Sequence, residues 1–85
     1  MLYVLTDVVK AEGKYKVFGK VNIGLLNIKE DVEYDIIYDK KNRKYICEKV
    51  LVNGIQVASN LTPSKSFLKN FTELCKKKKV DVHEC

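Results

Sequence analysis

Apolar and polar positions alternate with period two through the first 58 residues, and from about residue 62 they recur at helical spacing. The first pattern marks half-buried strands and the second an amphipathic helix. Leu2 to Val9 is a β-rich run interrupted only by Thr6 and Asp7, and Lys10-Ala11-Glu12-Gly13 is a connection ending in glycine, which predicts a first hairpin. In Lys14 to Val21, Tyr15, Val17, Gly19 and Val21 share one face and Lys14, Lys16, Phe18 and Lys20 the other, so one face is core and one is basic.

Ile23 to Ile28 is a short apolar segment whose Gly24 marks a bulge or bend, and Lys29-Glu30-Asp31 is read as a turn. Val32 to Asp39 alternates again. Val32, Tyr34, Ile36 and Tyr38 form its apolar face, and Glu33, Asp35, Ile37 and Asp39 form an outward, acidic one. Lys40-Lys41-Asn42 leads into Arg43 to Val52, so residues 32–52 read as an antiparallel hairpin. Asn53-Gly54 is the two-residue signal of a type I′ turn, with Ile55 to Ala58 returning. Thr62 can then cap a helix with Pro63 at its first position, and Phe67, Leu68, Phe71, Leu74 and Cys75 line one face of a helix over residues 63–77.

These elements predict one mainly β domain over residues 1–79, with residues 80–85 as a loosely ordered tail. Five or six short antiparallel strands with internal glycines suit a small OB-like barrel capped by the C-terminal helix, because closure removes exposed strand edges. An SH3-like barrel, or an open meander packed on the helix, is the alternative.

Length and composition narrow the function. A chain of 85 residues with 46% hydrophobic and 32% charged positions is globular and too short for a deep active site with a bound cofactor. Charge is uneven: residues 1–39 carry a net −2, and residues 40–85 a net +7. A basic surface favours polyanions through phosphate contacts and counterion release. Catalysis has little footing. The one histidine, His83, lies in the tail, no glycine-rich phosphate loop is present, and Glu33, Asp35 and Asp39 are strung along a strand. No enzymatic activity, cofactor or metal is expected. Cys75, His83 and Cys85 have a spacing that matches no zinc motif, and Cys47 reads as a small strand hydrophobe. Three cysteines make a disulfide framework unlikely to be the basis of the fold, although Cys75 and Cys85 could pair. The N-terminus lacks a basic segment before its apolar run, so an intracellular, cytoplasmic protein is expected, with a nuclear location left open.

Residues 29–52 resemble the last two strands of cold-shock and related OB-fold domains. Val32, Tyr34 and Ile36 match a "Val-x-aromatic-x-apolar" strand, and Cys47 and Val50 match the strand after a charged loop. Lys14 to Gly19 echoes one of that family's two aromatic, glycine-bearing motifs, and the second has no counterpart. The resemblance implies an OB-type fold and covers about a quarter of the chain.

Two classes of function follow. The first is a largely sequence-tolerant binder of single-stranded DNA or RNA. Lys14, Lys16, Lys20, Lys40, Lys41, Arg43 and Lys44 would meet phosphates, and Phe18 or Tyr45 would stack on bases. Phe18 could instead pack under the helix, and the second lysine cluster could be a solvated hairpin tip. Tyr45 is expected to face a ligand because Arg43, Cys47 and Lys49 share its parity, whereas Tyr15, Tyr34 and Tyr38 belong to apolar faces. A bulge between Cys47 and Val50 would change that assignment. Lys76 to Lys79 could contact phosphates, serve as a nuclear-import patch or complement the helix dipole. The second class is a protein-interaction module, a regulator or inhibitor or a homodimer, using Glu33, Asp35 and Asp39 or a strand edge.

Overall fold

The period-two runs form five strands, β1 (Leu2–Ala11), β2 (Lys14–Ile23), β3 (Ile28–Asp39), β4 (Lys44–Val52) and β5 (Ile55–Leu61), and one helix, α1 (Lys65–Lys78), follows them. The computed structural model describes residues 2–23 and 28–82, with the backbone alone for Leu2, Ile23 and Ile28. The strands pair antiparallel in chain order, β1-β2-β3-β4-β5, in one sheet. This is the mainly β fold with a C-terminal helix that the pattern predicts, in its open-meander form with β1 and β5 as edges.

Turn chemistry fixes the hairpins. Glu12 and Gly13, then Asn53 and Gly54, all have positive φ, the backbone that type I′ connections require and that glycine and asparagine adopt most readily. Lys29, Glu30 and Asp31 do not turn the chain as expected. They extend β3, opposite Asn22, Val21 and Lys20, and the Asn53 amide reaches back to the Glu30 carboxylate while its N–H bonds the Asp31 carbonyl. The bend expected at Gly24 lies outside the described residues.

One face of the sheet carries the core. Val8, Tyr15, Val17, Ile36 and Cys47 are buried there under Phe67, Phe71, Leu74 and Cys75 of α1. The Phe71 ring stands edge-on to Tyr15 at 5.2 Å and to Tyr45 at 5.4 Å between centroids, geometries that match the positive edge of one ring to the negative face of another. Phe67 makes the corresponding contact with Tyr34 at 4.9 Å. On β2, Gly19 permits a close approach of β1: a Cβ there would lie 2.3 Å from the Val4 carbonyl oxygen, next to the irregularity between Leu5 and Asp7.

The helix begins two residues later than the Thr62 cap expected. Ser64 is the N-cap; its Oγ accepts the Phe67 N–H at 3.1 Å, and Thr62 and Pro63 are used in the connection because β5 runs on to Leu61. At the other end Lys79 turns left-handed, with the Val80 N–H bonded to the Cys75 carbonyl at 2.8 Å, the closure that satisfies orphan helix carbonyls. Residues 80–82 are docked, contrary to the loose tail expected. Val80 and Val82 pack on the core, and the Tyr15 hydroxyl donates to the Asp81 carbonyl at 2.9 Å. Among the described residues no helix is long and apolar enough to cross a membrane.

Removing the Phe71 ring leaves a cavity at the joint between helix and sheet. Phe71→Ala is expected to cost about 3–5 kcal/mol in urea unfolding, and a loss below about 1 kcal/mol, the scale of a surface substitution, would contradict this packing. Gly19→Ala is expected to destabilise by more than the exposed-site scale of roughly 0.5 kcal/mol in the same assay, because the clash is with backbone.

Candidate nucleic-acid interface

The sheet face away from the helix holds both charged rows that the alternation singled out, and it holds them side by side. Antiparallel register sets Lys16 opposite Asp35, Phe18 opposite Glu33 and Lys20 opposite Asp31. Lys14 bonds Glu48 of β4 at 2.8 Å, Lys16 lies 3.7 Å from Glu33, and Lys20 pairs with Asp31. The hydrogen bond that Lys14 donates to Glu48, and then the charge of that carboxylate, hold the Lys14 ammonium above its ordinary pKa. The expected basic face and the expected acidic face are therefore one mosaic in which Lys14, Lys16 and Lys20 each already have a carboxylate. Such exposed pairs add little to stability, but they offset the field that a phosphate would meet.

Two expectations about individual side chains are corrected here. Asp35, assigned to an exposed acidic row, is only 8% exposed, set between Lys16 and Lys49 in the register, and its Oδ1 has no hydrogen-bond partner among the described residues. Tyr45, assigned to a ligand face, is half-buried on the helix side against Phe71, Tyr15 and Tyr38. The cause is a bulge. Asp35 pairs with Lys49 and Ile36 with Cys47, so Glu48 is an extra residue in β4, and the parity of Tyr45 cannot be read from Lys49. Phe18 is on the side away from the helix, half-buried, in a hollow of about 310 Å³ that also includes Thr6, Glu33 and Leu51. It does not pack under the helix.

A different cationic surface emerges outside the mosaic face. Phe67 lies beside Tyr3 and Tyr34 while Phe71 lies beside Tyr15 and Tyr45. The helix thus runs toward the end of the sheet where the β1–β2 and β3–β4 connections lie. It closes beside β1, with Lys78 next to Asp7 and Lys77 lining a hollow with Tyr3, Val4 and Leu5, so Lys76 to Lys79 and the β3–β4 turn cations Lys40, Lys41, Arg43 and Lys44 form two separate clusters. Among the described residues, Lys40, Lys41, Lys44, Lys76, Lys77 and Lys79 have no carboxylate within 4 Å. Lys78 lies 3.9 Å from Asp7. Lys10 adds a further cation, 5.2 Å over the Tyr15 ring. Tyr38, half-buried and 5.0 Å from Tyr45, is the ring of the aromatic row nearest the β3–β4 turn.

Asp39 does not offer itself to a partner protein. Its carboxylate accepts from the Asn42 side chain at 2.7 Å and from the Lys41 and Asn42 N–H groups, closing the turn that presents the lysines. Those bonds, the Asn42 side chain foremost, hold its carboxyl below the ordinary carboxylate value. The Cys75, His83 and Cys85 set, and the Cys75 to Cys85 pairing, lie partly outside the described residues.

Compared with known proteins, the chain matches no family model, no curated sequence and no solved structure.

Two measurements check the local chemistry. Burial pushes the Cys47 and Cys75 thiols up to about 11, so both are expected to resist alkylation at pH 8 in the folded protein and to react on unfolding, as resolved by peptide mass spectrometry. Because their folded values are raised, the stability they contribute is complete below pH 9 and declines between about pH 9 and 11. For Asp39 the sign is opposite. An NMR titration is expected to give a midpoint below 3.8, and the turn loosens only as pH falls through it.

Proposed function

We propose that this chain binds single-stranded nucleic acid along its two lysine clusters, with the lysines of the β3–β4 turn and of the α1 C-terminus meeting phosphates and Tyr38 offering a ring to a base. The observation that supports this reading is that two lysine clusters hold six ammonium groups with no carboxylate within 4 Å among the described residues. Mobile ammonium groups bind phosphates without demanding a fixed geometry, and an aromatic face accepts any base, so recognition is tolerant of sequence. The mosaic face is a poor alternative for a polyanion, because an incoming phosphate would have to displace Glu33, Asp31 or Glu48 from its lysine.

Fluorescence anisotropy of a labelled strand of about 20 nucleotides, longer than the ~4–16 nucleotides that one small domain covers, tests the proposal. Binding is expected at micromolar protein or below. With four to six phosphates neutralised it weakens by about 50- to 300-fold between 50 and 200 mM salt. Lys40→Glu, Lys41→Glu and Lys44→Glu together are expected to abolish binding. Lys14→Gln, Lys16→Gln and Lys20→Gln together are expected to leave it within about threefold, a free-energy change below 1 kcal/mol. Loss of binding in the second set with retention in the first would reverse the assignment.

A further inference from the structure

The two edges of the sheet are not alike. On β1 the edge carries Asp7 and Lys10, is irregular at Thr6, and is tied to the helix by Lys78. Those are the devices that keep an edge from pairing. On β5, Ile55-Gln-Val-Ala-Ser-Asn-Leu61, there is no charged residue, in a chain of which 32% is charged. Among the described residues its ladder is with β4 alone, with Val57 as the extra residue at the shift between Val50 and Leu51 and Asn60 at positive φ, and the paired stretches on either side turn their outward N–H and C=O groups away from the sheet. Its large apolar side chains are uncovered: Ile55 is 69% exposed, Val57 60% and Leu61 46%. Beside them, on the side that carries the helix, an apolar hollow of about 400 Å³ is lined by Val21, Val32, Val52, Val57 and Leu61.

We propose that β5 is the interface between two copies of this chain, paired antiparallel about a two-fold axis to make one continuous ten-stranded sheet. Three observations favour a second copy as the occupant. A neutral strand meeting itself brings no like charges together, and the same surface serves both partners, as a two-fold requires. The strand direction also resolves the repulsion between two molecules of net charge +5. β5 runs from the β4–β5 turn toward the end that holds the β3–β4 turn lysines, so antiparallel pairing sets the two basic turns at opposite extremes of the dimer, whereas parallel pairing would juxtapose them. Finally, the exposed apolar side chains that point to the helix side on each β5 meet beside one another and extend over both hollows. Because β1 is defended, addition stops at two. The pairing leaves both turn ends open and does not depend on their binding anything.

Sedimentation velocity across 1–500 µM protein decides the matter. The expected species has twice the 9.8 kDa chain mass, and it persists in high salt because backbone bonds and apolar contact, not ion pairs, hold it. Val57→Lys, at an exposed position, is expected to return the chain to a monomer with an unchanged circular dichroism spectrum. Amide hydrogen exchange in β5 is expected to slow at least tenfold from the lowest to the highest concentration in the wild type and not in the variant. A wild-type monomer throughout the range would overturn the proposal. So would a dimer that Val57→Lys leaves intact, or a series of ever larger species, which would mean open-ended stacking instead of a closed pair.

Discussion

Phe71 has no exposed surface and stands edge-on to both Tyr15 and Tyr45, and most of what is distinctive in this molecule follows from that wedge. It fixes which face of the sheet is core, because one ring from α1 must sit between rings on β2 and β4. It fixes the direction of the helix, because Phe67, one turn earlier, meets Tyr3 and Tyr34 farther along the strands. It also removes Tyr45 from the set of side chains available to a ligand. With the helix so placed, the lysines at its close lie along β1, beside Asp7 and Leu5, and form a cationic cluster apart from the one in the β3–β4 turn.

The other governing constraint is register. A strand of alternating lysine beside a strand of alternating carboxylate, paired without slippage, yields cross-strand ion pairs and a nearly neutral face. The same residues offset by one position would have sent one row into the core. The chain's excess positive charge is thereby left to its turns and helix, where no neighbouring strand can answer it. Long-range attraction of a polyanion depends on that uncompensated charge and not on the number of lysines.

Local signals carried the elements well. The parity of Tyr15, Val17 and Val21, the Asn53-Gly54 turn, and the helical spacing of Phe67, Phe71, Leu74 and Cys75 all correspond to what the structure contains. What local pattern could not supply is pairing. Lys14, Lys16 and Lys20 look like a phosphate-binding row until β3 is set beside them, and Glu33 and Asp35 look like a separate acidic face for the same reason. The bulge at Glu48 falls between Cys47 and Val50, where the alternation left room for one, but no glycine marks it and the sequence alone does not decide it. Lys29 to Asp31 has turn-like composition, yet the ion pair from Lys20 and the bonds from Asn53, both distant in sequence, hold it as strand. In each case a non-local partner outweighs the local preference.

Chemical-shift mapping by two-dimensional NMR, with a short unlabelled DNA or RNA strand added to the isotopically labelled protein, separates the lysine clusters from the mosaic face in one titration. The two lysine clusters predict shifts concentrated in residues 38–45 and 76–79, progressive with added strand and reversed by salt. Shifts confined to Lys14 through Lys20 and their β3 neighbours, or none at low salt, would contradict it.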